Sequence, residues 1–243
     1  MKTSDEAVNI LKELSVSDFE FTERFKYFAF EQVPNVPGFS LSQYYRHLSI
    51  LCALLGSSSI DLYREFLPLC LDEELTPIQV KEILYQSCAY LGVGKVLPFI
   101  NASNEIFTKL GISLPLAEQG TTTLENRREK GTQAQVDIFG EQMRDFYNCG
   151  PAERVHINYL LASNCFGDYY TRKGLDLKDR ELVTFCLLAS LGGVEPQLTS
   201  HAKANIKMGN DPKFLTAVIT QMVPYIGYPR TLNAIACLSK AQE

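Results

Sequence analysis

The stretch GLDLKDRELVTFCLLASLGG, residues 174–193, sets the fold class. Its apolar residues recur at three- and four-residue steps, the period of an amphipathic or buried α-helix, and two glycines close it. The same spacing runs through LSQYYRHLSILCALLG, TPIQVKEILYQSCAYLGVGKVLPFINASNEIFTKLG, AQVDIFGEQMRDF and PKFLTAVITQMVPYIGYPRTLNAIACLSKA. Thr76-Pro77 and Asp211-Pro212 each put a capping side chain before a proline suited to a first helical turn. No segment alternates with period two. The chain is predicted to be all-α.

The opening stretch also has a partner elsewhere in the chain. GFSLSQYYRHLSILCALLG (38–56) parallels GLDLKDRELVTFCLLASLG (174–192), and residues 76–102 parallel residues 211–237. Gly38 matches Gly174, Pro77 matches Pro212, Gln86 matches Gln221, Tyr90 matches Tyr225 and Gly92 matches Gly227. Self-similarity at a fixed offset is the mark of a repeated structural unit. The expected layout is an N-terminal repeat over 1–111, a connector over 112–150 and a C-terminal repeat over 151–243. The polar connector, LPLAEQGTTTLENRREKGTQ, reads as a surface wrap followed by a helix near 133–147. The first twenty or so residues read as a further short helix.

Composition narrows the function classes. The 243 residues carry a net charge of −5 and no basic tract, a poor basis for binding a phosphate backbone, so no nucleic-acid partner is expected. The opening residues MKTSDEAVNILKELSVSDFEF lack the apolar run of a signal peptide, and no stretch reaches the length of a membrane span. The expectation is a cytoplasmic protein without a membrane partner. Seven cysteines, none in Cys-x-x-Cys spacing, read mainly as buried free thiols and offer no metal site.

Residues 166–210, FGDYYTRKGLDLKDRELVTFCLLASLGGVEPQLTSHAKANIKMGN, continue after an interval to VPYIGYPRTLNAIACL. This succession of an Arg-Glu-Leu helix, a glycine break, a histidine-bearing helix and a Tyr-Gly-aromatic-Pro break resembles the carboxymuconolactone decarboxylase family. That family shares its fold with the alkylhydroperoxidase D-like proteins. The resemblance implies a helical bundle that pairs with a copy of itself. Single-repeat members form hexamers, so two fused repeats would make an internal pseudo-dimer and three chains a homotrimer.

Peroxidatic members of the fold carry Cys-x-x-Cys-x-x-x-His. Counting back from His201, those thiol positions hold Val194 and Gln197. Without a thiolate or a resolving thiol, disulfide-based peroxide reduction is disfavoured. An alkylhydroperoxidase or peroxiredoxin-type reading would fall back on a lone thiol such as Cys165. A non-catalytic oligomeric binding protein is the third reading.

The decarboxylase branch needs no cysteine. Loss of carbon dioxide from an anionic lactone leaves charge that must be held by donors and a carbon that must be protonated. In what the resemblance implies, His201 is the proton donor and Glu181 orients it or sets its charge. Gln197, one turn before His201, would donate to the lactone oxygen. Arg172 and Arg180 would grip a substrate carboxylate, with Asp168 a weaker candidate. No metal and no organic cofactor are expected, and the partner is a small anionic substrate. Each residue also has a plain role: Glu181 as a first-turn acid against the helix dipole, the arginines as ion-pair partners, His47 and His156 as structural polar residues. In the first repeat Tyr45 stands at the Glu181 position and Phe66, or Glu65, at that of His201, so one site per chain is expected.

Overall fold

The computed structural model describes residues 10–243, and among them every regular element is helical. After a single turn at Leu14–Ser17, the elements are α1 (Phe19–Lys26), α2 (Gln43–Gly56), α3 (Ile60–Glu73), α4 (Pro77–Leu91) and α5 (Val93–Lys109). Then follow α6 (Arg127–Phe139), α7 (Ala152–Leu160), α8 (Leu177–Leu191), α9 (Glu195–Lys207) and α10 (Pro212–Lys240). Two wide, π-helical stretches extend α1 through Tyr27–Gln32 and α7 through Leu161–Tyr170. No helix among the described residues is long and apolar enough to cross a membrane. Part of the expected N-terminal helix falls on residues 1–9, outside the described range.

Local chemistry explains where the helices begin. Thr76 forms a full capping box with Gln79, and Pro77 takes the first helical position. Asp211 accepts from the Phe214 amide at 2.8 Å, again ahead of a proline. Ser42 and Asp176 cap α2 and α8 in the same way. Glycine supplies the left-handed breaks: Gly92 (φ 80°) separates α4 from α5, and Gly227 (φ 75°) kinks α10 at the matching place.

The two halves pack on each other. Helices α2 and α8 lie against each other, α4 lies on α8, and α10 lies on α2. Where α2 crosses α8, a Cβ on Gly56 would sit 2.4 Å from the Ser190 Cβ, so the absence of a side chain permits the approach. One core runs through both halves, with Leu48, Leu51, Leu54 and Leu84 alongside Leu182, Phe185, Val218 and Met222.

Counted from the helix caps, His47 lies five residues beyond Ser42 and Glu181 five beyond Asp176. Phe66 stacks on Phe30 with ring centroids 5.7 Å apart and meets Tyr225 edge-on. In the first half, this region is filled by aromatic rings.

The connector is more than a surface wrap. Its helix starts at Arg127 and stops at Gly140, earlier at both ends than its spacing suggests, and two short 3₁₀ turns follow. Residues Gly131, Ala134, Gln135, Val136 and Ile138 are buried. Helix α6 lies so tightly on the 161–170 stretch that a Cβ on Gly131 would come within 1.9 Å of the Ala162 carbonyl oxygen. A Cβ on Gly167 would come within 2.2 Å of the Arg127 carbonyl oxygen. Gly131→Ala is expected to cost on the order of 3 kcal/mol and lower Tm by roughly 6–12 °C. Gly94→Ala, at a position with open space around it, should leave Tm unchanged or raise it slightly, and differential scanning calorimetry of the two variants checks both.

Candidate active site

Helix α8 carries Glu181 on a face packed against its neighbours, and its side chain is fully buried. Helix α9 turns back beside it after the Gly192-Gly193 break and brings His201 within reach. The His201 Nδ1 lies 2.8 Å from the Glu181 Oε2. Two asparagines fix this geometry. The Asn205 Nδ2 donates to the carbonyl oxygens of both Glu181 and His201, each at 2.8 Å. Asn210 in turn donates to the Asn205 Oδ1 at 2.8 Å. With Nδ1 held on Glu181, the imidazole presents Nε2 as its second reactive nitrogen.

The ring sits in an aromatic frame. Tyr90 meets it edge-on at 5.8 Å and Phe139 at 5.5 Å between centroids. A cavity of about 660 Å³ opens beside it, within the range of small-molecule sites. Its inner wall is apolar, from Ala89, Phe139, Phe166 and Leu188, while Gln197, Ser200 and Arg154 line its exposed part. Gln135, from the connector helix, also lines it. Gln135 is fully buried, and neither atom of its carboxamide has a hydrogen-bond partner in the protein. A buried amide left unmatched is costly unless something else satisfies it.

Behind Tyr90 runs a chain of polar side chains. The Tyr90 and Tyr170 hydroxyls are 2.8 Å apart, and the Tyr170 hydroxyl is 2.6 Å from the Thr184 Oγ1. The Gln86 Nε2 donates to the Thr184 Oγ1 at 2.9 Å and to the Arg180 carbonyl oxygen at 2.7 Å. The Arg180 guanidinium closes the chain by donating to the Gln86 Oε1 at 3.0 Å.

Of the residues singled out in the sequence, His201, Glu181 and Gln197 come together at the cavity. Arg172, Arg180 and Asp168 do not line it. Arg180 is fully buried and donates to the Glu82 carboxylate at 2.9 Å, while the Arg172 Nε lies 3.0 Å from both oxygens of that carboxylate. Their charge is thereby committed inside the protein. Asp168 pairs with Arg127 at 2.6 Å and accepts from Asn164 at 2.8 Å, joining α6 to the 161–170 stretch. The cavity's cation is Arg154, and its buried polar group is Gln135. Neither stood out in the sequence, because Arg154 lies in an ordinary polar helix start and Gln135 in the polar connector. His156 is exposed on α7, and His47 is buried in α2, where burial and the neighbouring Arg46 push its pKa down to about 4.

Residues 147–240 match the sequence profile of the Carboxymuconolactone decarboxylase family. This stretch is a carboxymuconolactone decarboxylase family domain. It contains α7 through α10, and with them the His201–Glu181 pair. The first half and the connector helix lie outside the matched residues, yet they supply Tyr90, Gln135 and Phe139 to the cavity wall. No curated protein matches the chain.

Within this family domain the lone thiol nearest His201 is Cys165. It donates weakly to the Tyr90 hydroxyl at 3.7 Å. Burial pushes its pKa up to about 12, the hydrogen bond to Tyr90 opposes that shift, and the Glu181 carboxylate adds to it. The protonated thiol therefore persists well above neutral pH, and the thiol is a poor nucleophile. In native protein at mildly alkaline pH, iodoacetamide should label exposed Cys149 and spare Cys165. Peptide mapping by mass spectrometry distinguishes the two, and rapid labelling of Cys165 would contradict this picture.

Proposed function

We propose that this chain is a cofactor-free carboxy-lyase, similar in chemistry to 4-carboxymuconolactone decarboxylase, acting on a small anionic lactone or oxoacid. One observation carries the reading: His201 is held by Nδ1 on a buried carboxylate at 2.8 Å, beside a largely apolar cavity. The substrate carboxylate that is lost leaves as carbon dioxide when its C–C bond breaks. The electron pair passes into the conjugated carbonyl as an enolate. Gln135 and Gln197 are placed to donate to that oxygen, and His201 delivers the proton to carbon. Glu181 keeps the imidazole oriented through the Nδ1 contact. A carboxylate retained by the substrate meets Arg154 at the mouth.

The alkylhydroperoxidase-type alternative is less well supported. The thiol positions are held by Val194 and Gln197, and Cys165 is kept protonated.

The same reading includes assembly as a homotrimer of fused repeats. Exposed apolar pairs support it: Val93 and Leu97 on α5, and Tyr228 and Leu232 after the α10 kink. These pairs stand at corresponding places in the two halves, each beginning one residue after its glycine break. Ile157, Leu160 and Leu161 add exposed apolar surface on and just after α7. Repeated apolar patches of this kind suit closed, symmetric association. Light scattering is expected to give the mass of three chains, and Leu97→Asp with Leu232→Asp is expected to give monomer with an unchanged circular-dichroism spectrum.

Activity is tested by following 4-carboxymuconolactone consumption in the ultraviolet. His201→Ala should lower kcat by roughly 10²–10⁴. Glu181→Gln, which keeps the shape but weakens the hold on Nδ1, should lower it less. Arg154→Gln should act mainly on KM. Turnover by wild type that survives in His201→Ala would remove the proposed role of His201. No turnover of this or any related lactone or oxoacid would leave the non-catalytic binding protein as the better account.

A further inference from the structure

A second cavity, of about 700 Å³, lies away from His201. Helices α4 and α5 form its floor through Ile78, Lys81, Tyr85, Ile100 and Asn104. The segment 114–120 straps over it, tied down where the Lys173 amide donates to the Gln119 carbonyl oxygen at 2.9 Å and the Thr121 hydroxyl donates to the Thr171 carbonyl oxygen at 2.7 Å.

The unusual group here is Lys81. It is only 7% exposed. Its ammonium donates to the Asn104 Oδ1 and faces the rings of Tyr85 and Phe107 at 6.0 and 5.7 Å. Among the described residues no carboxylate pairs with it. The neighbouring carboxylate, Glu82, is already shared by Arg172 and Arg180. Burial pushes the Lys81 pKa down, as it must for a cation with no counter-charge. Arg172, paired with Glu82, lies over the other side of the wall at 5.1 Å from the Tyr85 ring centre. Ile78, Tyr85, Ile100, Leu114 and Leu116 give the cavity an apolar wall beside Lys81, while Glu118 stands on the exposed strap and Glu82 is taken by the arginines. A buried cation without a counter-charge, next to such a wall, is complementary to an anion with an apolar body.

We infer that this cavity is a second ligand site, binding a small carboxylate of apolar body, with its carboxylate on Lys81 and Asn104 and its hydrocarbon against Ile78, Ile100 and the 114–116 strap. The site is independent of the chemistry proposed at His201. It adjoins Glu82, whose arginine partner Arg180 begins the polar chain that ends at Tyr90. An occupant would therefore sit at the far end of that chain from the His201 cavity.

Octanoate is the probe, with inorganic phosphate at equal ionic strength as the anion lacking an apolar body. Isothermal titration calorimetry of the full chain should show octanoate binding and at least tenfold weaker phosphate binding. Lys81→Met removes the charge while keeping the stem, and Asn104→Asp gives Lys81 a carboxylate of its own. Each should weaken octanoate at least tenfold, while His201→Ala should not. Saturating octanoate should also slow reductive methylation of Lys81 in the wild-type chain, mapped by mass spectrometry, a readout that needs no variant to fold. The inference is overturned by any of four results. These are absence of octanoate binding, equal binding of phosphate, loss of binding in His201→Ala with retention in the Lys81 and Asn104 variants, or no protection of Lys81.

Discussion

The Glu82 carboxylate, 1% exposed and held by two arginines, governs the arrangement of the rest. It projects from α4, whereas Arg180 opens α8 and Arg172 lies in the turn before it. Removing one member of such a buried set typically costs about 3–5 kcal/mol, because the others keep their charge without its partner. The group fixes how α8 lies on α4. That register places Thr184 under Tyr170 and Tyr90, and Glu181 one step along the same helix toward His201. Gly174 enters this arrangement sterically: a Cβ there would stand 2.9 Å from the Glu82 Cγ. The family domain and the half outside it are thus joined by charge as well as by a common apolar core.

Much of this was legible in the sequence, and for identifiable reasons. Helical spacing gave the all-α class. Capping chemistry at Thr76 and Asp211, and glycines at 92 and 227, marked helix boundaries because those preferences act over a few residues. His201 and Glu181, twenty positions apart, were identified by motif, and the turn at Gly192-Gly193 brings them into contact. Arg172 and Arg180 were harder. Their partner stands 90 and 98 positions away, and nothing local distinguishes an arginine that will meet a substrate from one that will meet a buried glutamate. Gln135 was hidden for a related reason. A glutamine in a polar segment looks solvated until α6 is seen packed on its neighbour.

The surroundings of His201 and of Phe66 differ. Around His201 the wall leaves a cavity, edged by Tyr90 and Phe139. Around Phe66 the rings of Phe30 and Tyr225 occupy the space, and α2 carries His47, whose burial disfavours its charged form. A carboxylate–imidazole pair cannot form there. The first half contributes Tyr90 to the wall of the His201 cavity.

The contact between α6 and the 161–170 stretch also limits how the cavity can be reshaped. Two backbones meet there with only hydrogens between them, at Gly131 and Gly167, so no substitution can bring that wall closer. Enlarging the residues at the contact would lever the helix outward and loosen the whole lining. Selectivity for a longer or broader molecule must therefore be tuned from side chains that point off the helix, Phe139 and Gln135 first, with Met143 beyond them. Those three positions are the adjustable dimension of an otherwise rigid vessel.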